Sequence, residues 1–242
     1  EALQQSDVMA LEVNLETDPT VRQMQADPSN GKAVADQLTK AQRERLTRLL
    51  AKSCLSADLS APVGQLGLMR LLASLNGSST HVDGLYAEFG IDRYLAGQAR
   101  QVKMPLIGLE TGAGQLKALG GNGRSKSLSE TIDKALDTLE SDKWRTVVLA
   151  AASAWARGDL DKLEHYADWC DCLKTPEDQA MHERMTTGRN PGMAKEIERL
   201  HADGQRVFAA VGALHMVGQK GLPAMLAERG FQVTKVFPAE HQ

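Results

Sequence analysis

The stretch that decides the fold is Val207-Phe208-Ala209-Ala210-Val211-Gly212-Ala213-Leu214-His215. Its first five residues are apolar at every position, which predicts a central strand covered by helices on both faces. A helix is expected to begin near Gly221-Leu222-Pro223 and to end at Arg229-Gly230, because proline favours the first turn of a helix and glycine its end. With a further strand expected at 232–237, residues 206–237 predict a βαβ unit.

Working outward from this unit, two more short apolar runs predict strands at 8–13 and 106–110. Most of the remaining sequence has helical periodicity, including a capping box at Ser127 and Glu130. We therefore expect a single domain over residues 1–242, of the α+β or α/β class. Its core is a small, partly parallel βαβ-based sheet, and helical insertions occupy about residues 32–103 and 115–205.

Composition limits the classes of function. The 242 residues carry 28 basic and 31 acidic side chains, a net charge of −3, which argues against a general nucleic-acid-binding protein. Hydrophobic residues make up 42% of the chain, enough for a sizeable core, and no apolar run reaches the length of a membrane span. We expect neither a nucleic-acid partner nor a membrane span, and a homo-oligomer stays open.

Three polar side chains stand at the ends of predicted strands. Glu110 follows the run at 106–109, Glu12 interrupts the run at 8–13, and His215 follows the strand that opens the quoted stretch. Ligands of open α/β sheets gather at the carboxyl ends of the strands. Two carboxylates and an imidazole at one edge would suit a divalent metal ion or acid–base chemistry. Taken alone, each residue fits an ion pair, a cap or a hydrogen-bonded strand end better than a site. Their recurrence at three strand ends makes a shared site an equal alternative.

Arg189 precedes Asn190 and Pro191, where we expect the proline to break or kink a helix. The arginine could hold an anionic intermediate or orient Glu110, and the alternative is an exposed arginine at a helix end.

The three cysteines are too few for a disulfide scaffold. Cys170 and Cys172 are separated by one residue, and neighbours at that spacing rarely bond each other. Either could pair with Cys54 if the protein is exported to an oxidising compartment.

Several segments resemble the TraB/GumN family, which includes the Tiki metalloproteases. The segment from Val207 to Gly218 with Gly221–Leu226 resembles the C-terminal signature of that family. The stretch 105–111 with Gln115 resembles its G-L-E-T…Q motif, and Arg189-Asn190 with 193–194 and 155–160 resemble its helical part. Residues 6–12 resemble its early acidic strand. The resemblance covers nearly the whole chain.

The resemblance implies a fold similar to the erythromycin-esterase/ChaN group and a metal-dependent peptidase that favours manganese or cobalt, with zinc also compatible. His215, in Gly212-Ala213-Leu214-His215, matches the second of two G-x-x-H motifs, with Glu12 as a further metal ligand. Glu12, Glu110, Arg189 and His215 are then the expected catalytic residues, and Asn190, Gly212 and Gln115 accompany them. The first G-x-x-H motif is expected on a strand before residue 1, and the alternative is a molecule that lacks this histidine and is inactive.

The preferred hypothesis is thus a metal-dependent hydrolase of the Tiki type that acts on peptides or proteins and is secreted or periplasmic. One alternative is a non-catalytic protein that binds a small ligand, such as haem, in the same pocket. Another is an exported protein whose helical insertion serves as an interaction surface, and burial of all three tryptophans, Trp144, Trp155 and Trp169, would remove its main support. We expect these three tryptophans to belong to the core.

Overall fold

The computed structural model describes residues 1–26, 32–53, 55–61, 64–120 and 127–236. Within these ranges the strands are β1 (Val8–Leu11), β2 (Leu106–Gly108) and β3 (Val207–Ala210). The helices are α1 (Pro19–Ala26), α2 (Lys40–Lys52), α3 (Gly64–Ser78), α4 (Ile91–Gln101), α5 (Gly112–Gly120), α6 (Leu128–Glu140), α7 (Lys143–Ala156), α8 (Leu160–Glu164), α9 (Tyr166–Trp169), α10 (Pro176–Met185), α11 (Asn190–Ala202) and α12 (Leu222–Glu228). Short 3-10 helices lie at Leu3–Gln5, Val34–Gln37, His81–Asp83, Ala87–Phe89 and Ala213–His215.

The three strands form one parallel sheet in the order β2-β1-β3. Leu11 of β1 lies opposite Gly108 on one side and Ala210 on the other, so the carboxyl ends of all three strands meet at one edge. The predicted mixed fold, with a small parallel sheet among many helices, is confirmed.

The position of β3 differs from the prediction. Every residue of β1 is buried, and β1, not β3, is the central strand of the described sheet. Phe208 and Ala210 pack into one core cluster and Val207 into another, which explains why β3 is apolar on both faces. Apolar residues on both faces of a strand indicate that helices cover it above and below. They do not indicate how many strands lie beside it.

The strand predicted at 232–237 does not form. Residues 232–236 have no regular structure, and Phe237 lies outside the described residues. Val233 is 48% exposed and Val236 is 84% exposed, so these side chains cover no core. The β-branched residues Val233, Thr234 and Val236 are therefore not sufficient for a strand here, because burial of one face stabilises a strand. The predicted βαβ unit reduces to β3, a 3-10 turn and α12.

The chain divides into two compact units, built from 1–18, 94–121 and 151–242, and from 19–93 and 122–150. The first unit contains the sheet. One face of the sheet packs with Met193, Ala194 and Ile197 of α11, and the other packs with Ala96 and Ala99 of α4. This division does not test the predicted single domain or the predicted bounds of its insertions, which stay predictions.

The second unit is helical and has its own core. Leu46 of α2, Leu72 of α3, and Ile132 and Leu136 of α6 are buried together. The predicted capping box at the start of α6 is present: Ser127 accepts a hydrogen bond from the backbone N–H of Glu130, whose side chain accepts one from the N–H of Ser127. The predicted helix over this periodic stretch is confirmed.

The cysteine pairing differs from the one expected. Cys170 and Cys172 are joined by a disulfide, and Cys54 lies outside the described residues. The Cα atoms of the pair are 5.1 Å apart, within the range that a disulfide spans. Asp171 between them adopts a φ of +52°, the left-handed conformation that turns the chain back within one residue. This backbone conformation is not readable from the spacing, which is why the expectation of a bond to Cys54 was wrong.

The tryptophans also differ from their prediction as core residues. Trp144 is 40% exposed and Trp155 is 55% exposed. Trp169 is half-buried, and its indole N–H donates to the backbone carbonyl of Lys162 at 2.7 Å. Because the three tryptophans are not all buried, the interaction hypothesis keeps its main support.

No described helix combines the length and the apolar character that crossing a membrane requires.

Peptide mapping without reduction, on protein isolated with thiols blocked, is expected to place Cys170 and Cys172 in one internally bonded peptide. A Cys172→Ser variant should lose no more than about 2 kcal/mol of unfolding free energy, because the loop it closes is very short. Urea denaturation of the variant and of the wild type measures this difference. A bond that includes Cys54, or a loss near 4 kcal/mol, would contradict the assignment.

Candidate active site

Glu12 and Glu110 lie side by side because the ladder between β1 and β2 continues past both strands. The N–H of Leu109 donates to the carbonyl of Leu11 at 2.8 Å, and the N–H of Glu110 donates to that of Glu12 at 3.0 Å. Gly108 has no room for a side chain here, since a Cβ would lie 2.9 Å from the backbone nitrogen of Asn14. The parallel register therefore places two carboxylates together at the carboxyl edge of the sheet.

Backbone and side-chain donors hold the Glu12 carboxylate. Its Oε1 accepts from the N–H of Gly212 at 2.7 Å, and its Oε2 accepts from Gln115 Nε2 at 3.3 Å. The same amide group of Gln115 donates to Glu110 Oε1 at 3.0 Å. A Cβ at Gly212 would lie 3.2 Å from Glu12 Oε1, so glycine leaves the carboxylate room to reach the backbone.

Arg189 reaches the two carboxylates from the junction between α10 and α11. The chain turns sharply there, and Gly188 has no space for a Cβ, which would lie 2.8 Å from the carbonyl oxygen of Glu183. Pro191 stands in the first turn of α11, so the predicted helix break at this proline is confirmed. The break sets Arg189 immediately before the new helix.

The guanidinium of Arg189 connects the site. Nη1 contacts Glu110 Oε1 and lies 3.1 Å from Glu12 Oε2, Nη2 lies 2.8 Å from His215 Nε2, and Nε donates to the carbonyl of Met185 at 2.8 Å. Four of the five N–H groups of this side chain are used in these contacts. The Arg189 side chain is only 10% exposed, while those of Glu12 and Glu110 are 21% and 17% exposed. Solvent therefore reaches the cluster mainly at its carboxylates.

His215 is buried and its ring is oriented by Asn190. Its Nδ1 lies 2.6 Å from Asn190 Oδ1, while Asn190 Nδ2 donates to the carbonyls of His215 and Lys220 at 3.2 and 2.7 Å. Because the amide nitrogen faces two carbonyls, the amide oxygen must face the ring, and Nδ1 must carry a proton. Nε2 of the neutral ring is then the acceptor that faces the Arg189 guanidinium.

The electrostatics agree with this assignment. Burial lowers the pKa of His215 below 6.5, the neighbouring Glu12 carboxylate opposes the shift, and the Arg189 guanidinium adds to it. The imidazole is accordingly neutral near pH 7 and accepts a hydrogen bond from the guanidinium. Two carboxylates and one guanidinium leave the cluster with a formal charge of −1.

A divalent metal ion does not fit these side chains as they are arranged. His215 Nε2 and Glu12 Oε1, the donors expected to bind it, are 3.7 Å apart, a separation that one ion could span. The obstacle is the guanidinium, which takes the lone pair of Nε2 that a metal would need. In the described part of the chain, no group of three or more His, Cys, Asp or Glu side chains is placed to hold a metal ion. Among the described residues, the buried side-chain atom that lacks a hydrogen-bond partner is Asn76 Oδ1 of α3, which lies outside this cluster.

The structure brings together all seven residues that the sequence singled out: Glu12, Glu110, Gln115, Arg189, Asn190, Gly212 and His215. Their catalytic and metal-binding roles stay predictions. Sequence reasoning missed the carbonyls of Met185 and Lys220, which anchor Arg189 and Asn190. It also missed Asn14, whose amide donates to the carbonyl of Leu106 at 2.7 Å and whose Oδ1 accepts from two backbone N–H groups. An asparagine just after a strand is a turn signal that could have indicated Asn14. The backbone carbonyls could not be predicted in this way, because every residue has one.

Comparison with known proteins identifies the family. The model of the TraB/PrgY/gumN family matches residues 1–235, essentially the whole chain, and the chain belongs to this family. A search of curated proteins and a search of solved structures each found no match.

Stability is expected to fall with pH below about 6.5 because of His215. Its folded-state pKa is lowered, so the unfolded chain binds the proton first, and the stabilisation present above pH 6.5 is lost as the pH decreases. One such group contributes a slope of at most about 1.4 kcal/mol per pH unit. Urea denaturation of wild type and His215→Asn between pH 5 and 8 measures the difference in slope.

His182 is the matched control, because burial lowers its pKa as well. The variant His182→Asn should retain the part of the slope that belongs to His215. A slope unchanged in His215→Asn would show that this ring is not held neutral by the fold.

Removing the amide of Asn190 is expected to free the tautomer of His215. In Asn190→Ala the buried Nδ1–H has lost its acceptor, which costs about 1–3 kcal/mol of unfolding free energy. The ¹⁵N chemical shifts of the ring nitrogens should show a single Nδ1–H tautomer in wild type and a mixture in the variant. The same tautomer in both proteins would contradict the role given to Asn190.

Proposed function

We propose that the chain is a hydrolase that cleaves peptide bonds, with Glu12, Glu110, Arg189 and His215 as its catalytic cluster. The observation that supports the proposal best is the convergence of these four side chains at the carboxyl edge of the parallel sheet, where α/β proteins bind ligands. Membership of the TraB/PrgY/gumN family and the resemblance to Tiki peptidases support the class of reaction.

Glu110 is the better of the two carboxylates to accept a proton. Both oxygens of Glu12 take hydrogen bonds from Gly212, Gln115 and Arg189. The contacts of Glu110 are with its Oε1, and in the described part of the chain Oε2 is left available. A water molecule hydrogen-bonded to Oε2 would transfer its proton to this carboxylate as it attacks the carbonyl carbon of a peptide.

Arg189 has two roles in this proposal. It neutralises part of the charge of two neighbouring carboxylates, and it keeps one Nη2 hydrogen beyond the four contacts already described. That N–H would stabilise the oxyanion that develops on the carbonyl oxygen of the substrate. His215, neutral and fixed by Asn190, would keep the guanidinium in position through Nε2.

The family resemblance implies dependence on manganese or cobalt, with zinc as a further candidate, but no step of the proposed reaction is assigned to the ion, because the guanidinium occupies His215 Nε2. The proton transfer described above uses only side chains of this chain. Whether a metal ion also takes part is decided by assay with each ion and with a chelator.

We propose an oxidising compartment, secreted or periplasmic, as the location of the protein. The disulfide between Cys170 and Cys172 supports it, since such bonds persist outside reducing compartments. The peptide mapping described above, applied to protein taken directly from cells, tests this location.

Glu110→Gln is expected to lower kcat/KM for internally quenched peptides by about 10²–10⁴-fold, because the amide accepts no proton. His215→Ala should also lower kcat/KM because it removes a contact that fixes the guanidinium, and Arg189→Lys should lower it because it removes the guanidinium itself. The assay compares these variants with wild type, with Mn²⁺ or with chelator. Glu196→Gln, which changes the half-buried partner of the exposed Arg199 outside the cluster, is the matched control and should keep full activity.

Equal activity of wild type and His215→Ala would refute the assignment of the site. Absence of turnover in every protein, together with thermal stabilisation of wild type by a small ligand, would favour the non-catalytic alternative.

A further inference from the structure

We propose that Arg189 is an internal cation that stands in the place of a divalent metal ion, so that metal binding to Glu12, Glu110 and His215 requires the guanidinium to leave. One guanidinium lies among three groups that are all common metal ligands. Its occupancy of the cluster does not depend on whether the chain is a hydrolase.

The surroundings of Arg189 are those of a bound cation. Carboxylate oxygens from Glu12 and Glu110 and the neutral Nε2 of His215 all face the same guanidinium. Carboxylate and imidazole groups are also the donors that suit divalent ions such as Mn²⁺, Co²⁺ and Zn²⁺. Nε2 carries no proton in this arrangement, because Asn190 fixes the tautomer.

The guanidinium and a divalent ion exclude each other. A metal bound to Nε2 would need the lone pair that Nη2 approaches at 2.8 Å. It would also bring two positive charges next to a third in a site where the Arg189 side chain is only 10% exposed, and poorly screened like charges repel strongly. The two cations therefore compete for one position.

The ligands would stay in place when the guanidinium leaves. Asn190 holds the imidazole through contacts that do not involve Arg189, and Gly212 and Gln115 hold the Glu12 carboxylate in the same way. The Arg189 side chain itself donates to the backbone through Nε, to the carbonyl of Met185. Loss of the guanidinium thus leaves a prepared set of two carboxylates and one imidazole.

Direct measurement of metal binding tests the inference. Mn²⁺ is titrated into wild type, Arg189→Met and the double variant Arg189→Met/Glu12→Gln, with free Mn²⁺ measured by electron paramagnetic resonance. Arg189→Met is expected to bind one Mn²⁺ at least tenfold more tightly than wild type, and the double variant is expected to lose that gain.

Arg184→Met is the matched control for the change in net charge. Arg184 lies on α10, five residues before Arg189, and donates to the carbonyl of Ala118. Its loss should leave Mn²⁺ affinity within about twofold of wild type. A similar gain in Arg184→Met would mean that net charge alone is responsible, and would overturn the inference.

Stability provides a second readout if Arg189→Met folds poorly. Removing the guanidinium leaves two carboxylates close together, so the variant should unfold at a lower temperature, and Mn²⁺ should raise its Tm more than that of wild type. Equal Mn²⁺ affinity in wild type and Arg189→Met, or no rescue of stability by the ion, would overturn the inference. Peptidase activity enters none of these measurements, so their failure is distinguishable from failure of the proposed function.

Discussion

Pairing of the Glu12 and Glu110 carboxylates is the constraint on which the site depends. The parallel register of β1 and β2 brings them side by side, and two partly buried carboxylates repel each other unless a cation lies between them. Arg189 supplies that cation from a position 177 residues after Glu12. Truncating Arg189 alone would leave both carboxylates uncompensated, which costs far more than the pair contributes in isolation. The turn that carries Arg189 is therefore bound to the sheet edge by charge as well as by packing.

The His215 imidazole connects the guanidinium of Arg189 to a second set of contacts, those of Asn190. Arg189 contacts Nε2 of the His215 ring, and Asn190, its neighbour in sequence, contacts the other ring nitrogen, Nδ1. The helix break before Pro191 places these consecutive side chains so that one contacts Nε2 and the other Nδ1. A single turn of backbone thus sets both the charge balance of the carboxylates and the tautomer of the histidine.

Much of this architecture could be predicted from the sequence. Each of β1, β2 and β3 is an apolar run, and each is followed by a polar residue at its carboxyl end, which is enough to predict that Glu12, Glu110 and His215 meet at one edge. Local signals fail where the outcome depends on what lies next to a segment. The run at 232–236 contains three β-branched residues but covers no core, and the apolar faces of β3 do not indicate that it is an edge of the described sheet. The disulfide of Cys170 depends on the left-handed backbone conformation of Asp171, and the identity of that residue alone does not predict this conformation.

The cluster draws on three distant parts of the chain, yet every contact described for it lies within the unit that contains the sheet. Residues 1–18, 94–121 and 151–242 supply the side chains, and residues 19–93 and 122–150 form the helical unit. The chain leaves the sheet unit after Asp18, whose carboxylate accepts from the N–H of Gly112 at the start of α5 at 2.9 Å. This bond ties the exit of the first insertion to the loop that follows Glu110. The geometry of the carboxylates is thereby fixed by neighbours on the sheet edge, so changes in the length or sequence of the helical unit need not disturb the charge balance around Arg189.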